Sequence, residues 1–213
     1  LLTGEASERG LACLRRFAKR LQGLAPSQVR AVATQTLREA RNRDAFLVQA
    51  QAALGQPIEV ISGREEARLI YAGVVHLQPS PAPRLVIDIG GRSTEMILGQ
   101  GREPRVAESF AVGSVSLTMR HFADGRLTEA AFREAQIAAG AELEEALAPF
   151  APRHWQEALG ASGTVGAVSQ LLAANGIHGV VGTTGFTTHD YDHLRGTFTK
   201  SNCLVAPNFA IGA

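Results

Sequence analysis

The chain has 213 residues, 45% of them hydrophobic and 19% charged, which excludes a disordered segment and allows one large domain or two small ones. A formal net charge of +1 gives no ground for a nucleic-acid binder or an acidic tail. Two distant cysteines, Cys13 and Cys203, with no C-x-x-C partner argue against a zinc site or a disulfide scaffold and fit a reducing cytoplasm. No apolar run has the length of a membrane span, and the opening residues do not read as a basic n-region followed by an apolar h-region. The opening residues, LLTGEASERG, lack an initiator methionine and read as the interior of a longer protein.

From Ser7 to Leu24, Leu11, Leu14, Phe17, Ala18 and Leu21 recur at spacings of three and four between arginines and a lysine, so this segment is an amphipathic helix. Val29 to Ala33 reads as a short strand. Thr34 to Arg38 is a polar passage into a second helix, capped at Asn42 or Asp44 and running to Leu54. Ile58 to Ile61 is a further strand, and Ser62, Gly63 and two glutamates open a helix over Glu65 to His76. The segment QPSPAPR, Gln78 to Arg84, holds three prolines in seven residues and is the best linker candidate. Strands follow at Leu85 to Ile89, Thr94 to Leu98 and Val106 to Phe110, then helices at Ser114 to Phe122 and Leu127 to Leu147. EALGASGTVGAVSQLLAANG reads as strand, turn and helix. Alternating strands and helices give an α/β class with strands buried on both faces.

The chemistry concentrates in RLVIDIGGRSTEMILG, Arg84 to Gly99. A buried strand ends in Asp88, turns through Gly-Gly-Arg-Ser-Thr, and returns with Glu95. Successive glycines let several N–H groups face one concavity, and Ser93 and Thr94 add hydroxyls. The two acids repel phosphate directly but hold it through a divalent cation or orient an attacking water. Such donors beside such acids are the parts that phosphoryl transfer needs. A plain hairpin with solvated acids at its ends accounts for the same residues, and both readings stand at this point.

VIDIGGRSTE resembles the second phosphate motif of exopolyphosphatases and guanosine pentaphosphate phosphohydrolases, within the actin/hexokinase/Hsp70 ATPase superfamily. ATQTLREARNRDAFL, IEVISGREEARLIYAGVVH and GASGTVGAV are similar to blocks of that family in the same order, and together they cover about Thr3 to Gly176. The resemblance implies a ribonuclease-H-like, actin/hexokinase-type fold of two lobes, incomplete at its N-terminus. It divides the chain into a remnant of the first lobe (1–78), a second lobe with the phosphate hairpin (79–176) and a tail (177–213). It implies hydrolysis of a terminal phosphoanhydride of inorganic polyphosphate or guanosine pentaphosphate, with Mg²⁺ as cofactor, in the cytoplasm, by a chain compatible with a homodimer. Glu66 then matches the catalytic base, and Arg38 a phosphate-contacting arginine. Gly90, Gly91 and Ser93 would cradle the terminal phosphate, Ser162, Gly163 and Thr164 would form the nucleotide-side loop, and Asp88 and Glu95 would hold the metal. Without the neighbouring blocks, Glu66 is a helix-start glutamate, Arg38 a solvated arginine and the Ser-Gly-Thr a helix cap. His76, His121 and His154 are separated singletons without ligand roles, and Trp155 is a packing residue.

Three features depart from the family pattern. Its first phosphate motif precedes the point where this chain begins, which leaves a non-enzymatic, anion-binding relic as an alternative. Arg92 stands where a third glycine is usual, and a positive φ there would strain it by about 1–2 kcal/mol, tolerated with the side chain outward. The tail, with NGIHGVVGTTGFT and LVAPNFAIGA, is similar to two blocks of dihydrodipicolinate reductase, with a junction near Asn175. On that resemblance Gly182, Thr183, Thr184 and Gly185 would supply an edge of a nicotinamide-cofactor site. The simpler expectation is that the apolar stretches of the tail extend the sheet.

Overall fold

The computed structural model describes residues 1–174, 179–182 and 203–206. They form two compact units, Leu1–Gly63 and a second beginning at Arg64. Among them no helix is long and apolar enough to cross a membrane.

The first unit holds helices α1 (Gly4–Arg20), α2 (Gln35–Glu39) and α3 (Arg43–Leu54) and the parallel strands β1 (Ala31–Ala33) and β2 (Ile58–Val60). The Thr3 hydroxyl caps α1 by accepting from Ala6 N, which satisfies one of the amides that a helix start leaves open. α1 packs on α3 with Leu11 and Ala50 buried, and the Phe46 ring lies 3.2 Å from where a Cβ on Gly10 would stand. Asn42 ties the chain start to α3 by two hydrogen bonds, accepting from Leu2 N at 2.8 Å and donating to Leu2 O at 2.9 Å. The polar passage before α3 contains α2, a short helix of its own.

The second unit opens with α4 (Gly63–Leu77), which Gly63 starts, followed by β3 (Pro83–Ile89), β4 (Thr94–Gln100) and β5 (Glu103–Phe110). Helices α5 (Ser114–His121) and α6 (Glu129–Leu143), strand β6 (Glu157–Ala161) and helix α7 (Ser162–Ala174) come next. β7 (Gly179–Gly182) and β8 (Cys203–Ala206) complete the described chain. Its sheet runs β5-β4-β3-β6-β7-β8, with antiparallel pairing on the β5–β3 side and parallel pairing from β3 to β8. β7 and β8 extend the sheet, as the apolar stretches of the tail suggest.

Each face of this sheet has its own core. Ala67, Tyr71, Val74 and Val75 of α4 recur at helical spacing and cover Val86, Ile97 and Leu159. Leu85 and Leu98 face the other way, onto Ala146, Phe150 and Trp155. Trp155 donates its Nε1–H to Phe150 O at 2.9 Å, so it packs as expected. Tyr71 determines why position 99 is glycine: a Cβ there would stand 2.4 Å from its ring.

The proline-rich segment is no linker between the two units, because it lies inside the second. Gln78 O accepts from Arg84, Ser80 donates to Glu157, and Pro81 O accepts from Gln100. The prolines stop α4 and turn the chain into β3, and α4 belongs with the sheet it covers, so the division falls at Gly63 and not at residue 78.

Candidate active site

Asp88 and Glu95 stand directly opposite each other on β3 and β4, and Glu95 stands opposite Ser109 on β5. Directly opposed residues of neighbouring strands project from the same face. Val86, two residues before Asp88, and Ile97, two after Glu95, both pack against α4, so the two carboxylates share the face that α4 covers. Toward β6 the same row continues with Ala161, then Gly182 and Ala206. Small residues therefore flank Asp88 on one side and polar ones on the other.

The first turn of α4 supplies the third acid. Its two glutamates are already distinguished by their partners. Glu65 is engaged by Arg68 through two hydrogen bonds of 2.7 and 2.8 Å. Glu66 lies close enough for its charge to act on both Asp88 and Glu95. Glu95 is 2% exposed and accepts from Ser109 Oγ at 2.7 Å. Burial first, and then the charges of Glu66 and Asp88, push its carboxyl up to about 7, against the opposing hydrogen bonds from Ser109 and Ser93. Asp88 is raised for the same first reason, with Glu66 adding to burial and a hydrogen bond from Ser162 opposing it. Among the described residues no lysine, arginine or histidine forms an ion pair with Asp88 or Glu95.

The β3–β4 turn owes its shape to α5. Gly90 N donates to Ser93 O at 2.9 Å and so closes the turn. Gly90 O accepts from Ser114 N at 3.0 Å, and Gly91 O accepts from Ser116 N at 2.9 Å. In a trans peptide the carbonyl and the following N–H point in opposite directions. With both carbonyls turned to α5, the N–H groups of Gly91 and Arg92 are aimed away from it, as a pair of donors. Gly113 backs this peptide: a Cβ there would stand 2.5 Å from Arg92 N and 2.6 Å from Gly91 C.

These contacts change how the sequence-predicted residues are used. The amide of Gly90 and the hydroxyl of Ser93 are engaged within the site, the latter on Glu95, and the amides turned away from α5 are those of Gly91 and Arg92. Neither glycine of the turn has a positive φ, and Arg92 is not among the positive-φ residues either. The expected strain at Arg92 is therefore absent, and its side chain is exposed. The glycines ease a close approach instead, since a Cβ on Gly90 would lie a tight 3.0 Å from Ser93 O and one on Gly91 3.2 Å from Val115.

Strain appears at Ser162, whose φ of +79° makes it the sole left-handed non-glycine residue among those described. Its hydroxyl donates to Ile89 O at 2.8 Å and lies within hydrogen-bonding reach of the Asp88 carboxylate. Thr164 Oγ1 is 3.4 Å from Ser114 Oγ, and Gly163 is exposed. Gly160 lets α7 lie close to β6, because a Cβ there would overlap Val165 at 1.9 Å. Together these contacts bring the Ser-Gly-Thr turn beside the Gly-Gly turn.

Arg38 belongs to the first unit. Its Nε and Nη2 donate to Gln35 Oε1 at 3.1 and 2.7 Å, and its Nη1 donates to Ile61 O at 2.9 Å. The guanidinium thus braces the end of β2. His76 and His154 are exposed, and His121 sits 3.9 Å from Glu134, so none of the three joins the carboxylates. Sequence reading missed Ser109, Ser114, Ser116 and Gly113. The alternation of β5 would have placed Ser109 across from Glu95, but the other three act through backbone contacts that no motif carries.

Among the described residues no three His, Cys, Asp or Glu side chains gather into a ready-made metal cage. Mg²⁺ does not require one: it is commonly held by one or two carboxylates and completed by phosphate and water. Asp88 and Glu95, which form no ion pair with a described residue, fit that requirement.

The sequence signature of the Ppx/GppA phosphatase family matches residues 1–200. The chain belongs to this family. A solved exopolyphosphatase-like protein is 31% identical with a TM-score of 0.71, over 84% of this chain and 56% of that one. The Ppx/GppA enzyme of Aquifex aeolicus is 27% identical with a TM-score of 0.63, over 79% and 55%. An exopolyphosphatase from Cytophaga hutchinsonii is 25% identical with a TM-score of 0.60, over 79% and 55%. The fold is accordingly the ribonuclease-H-like, actin/hexokinase type, and the chain spans just over half the length of these relatives. The family match runs past Asn175 to residue 200, and nothing supports the reductase resemblance of the tail. Of the predicted cofactor edge, Gly182 ends β7, while Thr183, Thr184 and Gly185 lie outside the described residues.

Proposed function

We propose that this Ppx/GppA chain hydrolyses a terminal phosphoanhydride, of inorganic polyphosphate or of guanosine pentaphosphate. The observation that supports it most is the convergence of Glu66, Asp88 and Glu95 on one face of the sheet, beside a turn that aims two amides outward. Glu66 accepts the proton of the attacking water as general base, a role worth about 10²- to 10⁴-fold in rate. The N–H groups of Gly91 and Arg92 receive oxygens of the terminal phosphate, with Gly113 and α5 keeping the turn rigid beneath them. Asp88 and Glu95 would hold Mg²⁺, which when bound would supply positive charge to the phosphate oxygens. Ser162 steadies Asp88, and Ser93 and Ser109 steady Glu95. The two substrates share the reacting group, and the residues above address that group alone.

The test is phosphate release from each substrate with Mg²⁺, for the unaltered chain and Glu66→Ala. Release by the former, reduced roughly 10³-fold in the latter and abolished by chelation of Mg²⁺, is the expected result. A folded chain that binds polyphosphate without releasing phosphate would replace this reading with that of an anion-binding relic.

A further inference from the structure

The edge strand β5 touches both sides of the carboxylate cluster through two consecutive residues. Ser109 donates to Glu95 Oε1 at 2.7 Å. Its neighbour Glu108 receives Arg64 in a two-pronged contact, Nε to Oε2 at 3.0 Å and Nη2 to Oε1 at 2.9 Å. Arg64 belongs to the same first turn of α4 as Glu66. Consecutive strand residues project to opposite faces, and Glu108 shares its face with Val106 and Phe110, away from α4. Because β5 is the outermost strand, Arg64 reaches Glu108 around the free edge of the sheet.

We infer that the dipeptide Glu108–Ser109 is a positioning bracket: Glu108 fixes the Glu66 turn of α4 through Arg64 while Ser109 fixes Glu95, so one rigid strand sets the separation of the two carboxylates. This inference rests on the phosphohydrolase reading for its catalytic consequence, and on geometry alone for the bracket. A simple ion pair on the surface would contribute little, since Arg64 is 74% exposed. Its value lies in direction. A two-pronged guanidinium–carboxylate contact fixes orientation as well as distance, and displacement of a reacting group by about 1 Å costs on the order of 10²-fold in rate. The start of a helix is also the part most prone to fray, having four amides without intrahelical partners.

Charge reversal separates this role from its rivals. Arg64→Glu removes positive charge near an anionic substrate, and Glu108→Arg adds it. A long-range electrostatic effect would therefore move the two single variants in opposite directions. The bracket predicts that both lower kcat by roughly 5- to 10-fold with KM within about twofold, and that the double reversal restores kcat to within about twofold. Amide hydrogen exchange in the first turn of α4 accelerates in each single variant and returns to its original rate in the double, a readout that needs no activity. Ser109→Ala lowers kcat without altering exchange in α4. Phosphate release with kcat unmoved by either reversal overturns the catalytic role of the bracket and leaves the function standing. Exchange unmoved by either reversal overturns the bracket itself. Altered exchange and restoration by the double, in a chain that releases no phosphate, uphold the bracket and sink the phosphohydrolase reading instead.

Discussion

Strand β3 buries charge at both of its ends, on the same face, and treats the two ends in opposite ways. At its start Arg84, with a side chain 3% exposed, donates to Glu157 at 2.7 Å and to Gln78 O, just past the C-terminus of α4, at 2.6 Å. An opposite charge and a helix-end carbonyl compensate it. At its far end Asp88 meets Glu95, with Glu66 near both, and hydroxyls are the partners of Asp88 and Glu95. A buried charge that serves only the fold is neutralised from within the chain. Asp88 and Glu95 have hydroxyl partners and no ion pair with a described residue, as the site proposed above for a cation and a phosphate requires.

The strongest way to break this contrast is Arg84→Met. It removes the buried cation, leaves Glu157 without its partner and uncaps α4, and should destabilise the chain by roughly 3 kcal/mol. Glu157 is 42% exposed and can regain water, which keeps the loss toward the lower end for a broken buried pair. Urea denaturation measures it. A loss below about 0.5 kcal/mol would mean that Arg84 is no better placed than a surface residue.

Glu95→Gln tests the other end, where the sign reverses. An acid raised to about 7 in the folded chain, from an ordinary value of 4.5, binds its proton more tightly when folded. Stability then falls as pH climbs from about 4.5 to about 7, and the full penalty is present above that. Glutamine carries no charge, so the variant should match the unaltered chain near pH 4 and exceed it at pH 8 by about 2 to 3 kcal/mol. Equilibrium unfolding at the two pH values gives the difference directly. A variant that is less stable at pH 8 would show that Glu95 is compensated after all.

The contrast was only half legible in the sequence. Asp88 and Glu95 announce themselves, because acids ending or opening an apolar strand conflict with the local pattern, and conflicts of that kind mark function. Glu66 suits a helix start and stands out only through the family blocks around it. The helix of Glu66 and the hairpin of the two acids also follow from periodicity. What the pattern hides is the commitment of each polar group. Arg84 sat in a proline-rich stretch that reads as a linker, yet it is buried. Ser93 and Gly90 look like phosphate donors, yet they close the site from inside. Arg92 was expected to bear strain, while the strain lies at Ser162. Each of these depends on which partner group comes within hydrogen-bonding distance, and that is decided by packing between elements distant in sequence.

Ser162 offers the smallest effect, and one that separates two terms. Holding a residue with a Cβ at φ +79° costs about 1 kcal/mol relative to glycine, and its hydroxyl bond to Ile89 O returns about the same. Ser162→Ala keeps the strain and loses the bond, so it should destabilise the chain by about 1 kcal/mol. Ser162→Gly loses the bond and relieves the strain, and should leave stability within about 0.5 kcal/mol, the added freedom of the unfolded glycine offsetting part of the relief. Both variants remove the hydroxyl beside Asp88 and should impair phosphate release alike. If activity instead follows stability, with Ser162→Gly near normal, the hydroxyl serves the turn alone. Equal loss of activity in two variants of unequal stability would place Ser162 with Asp88 and Glu95 in the proposed site, at the end of β3, and not with the turn alone.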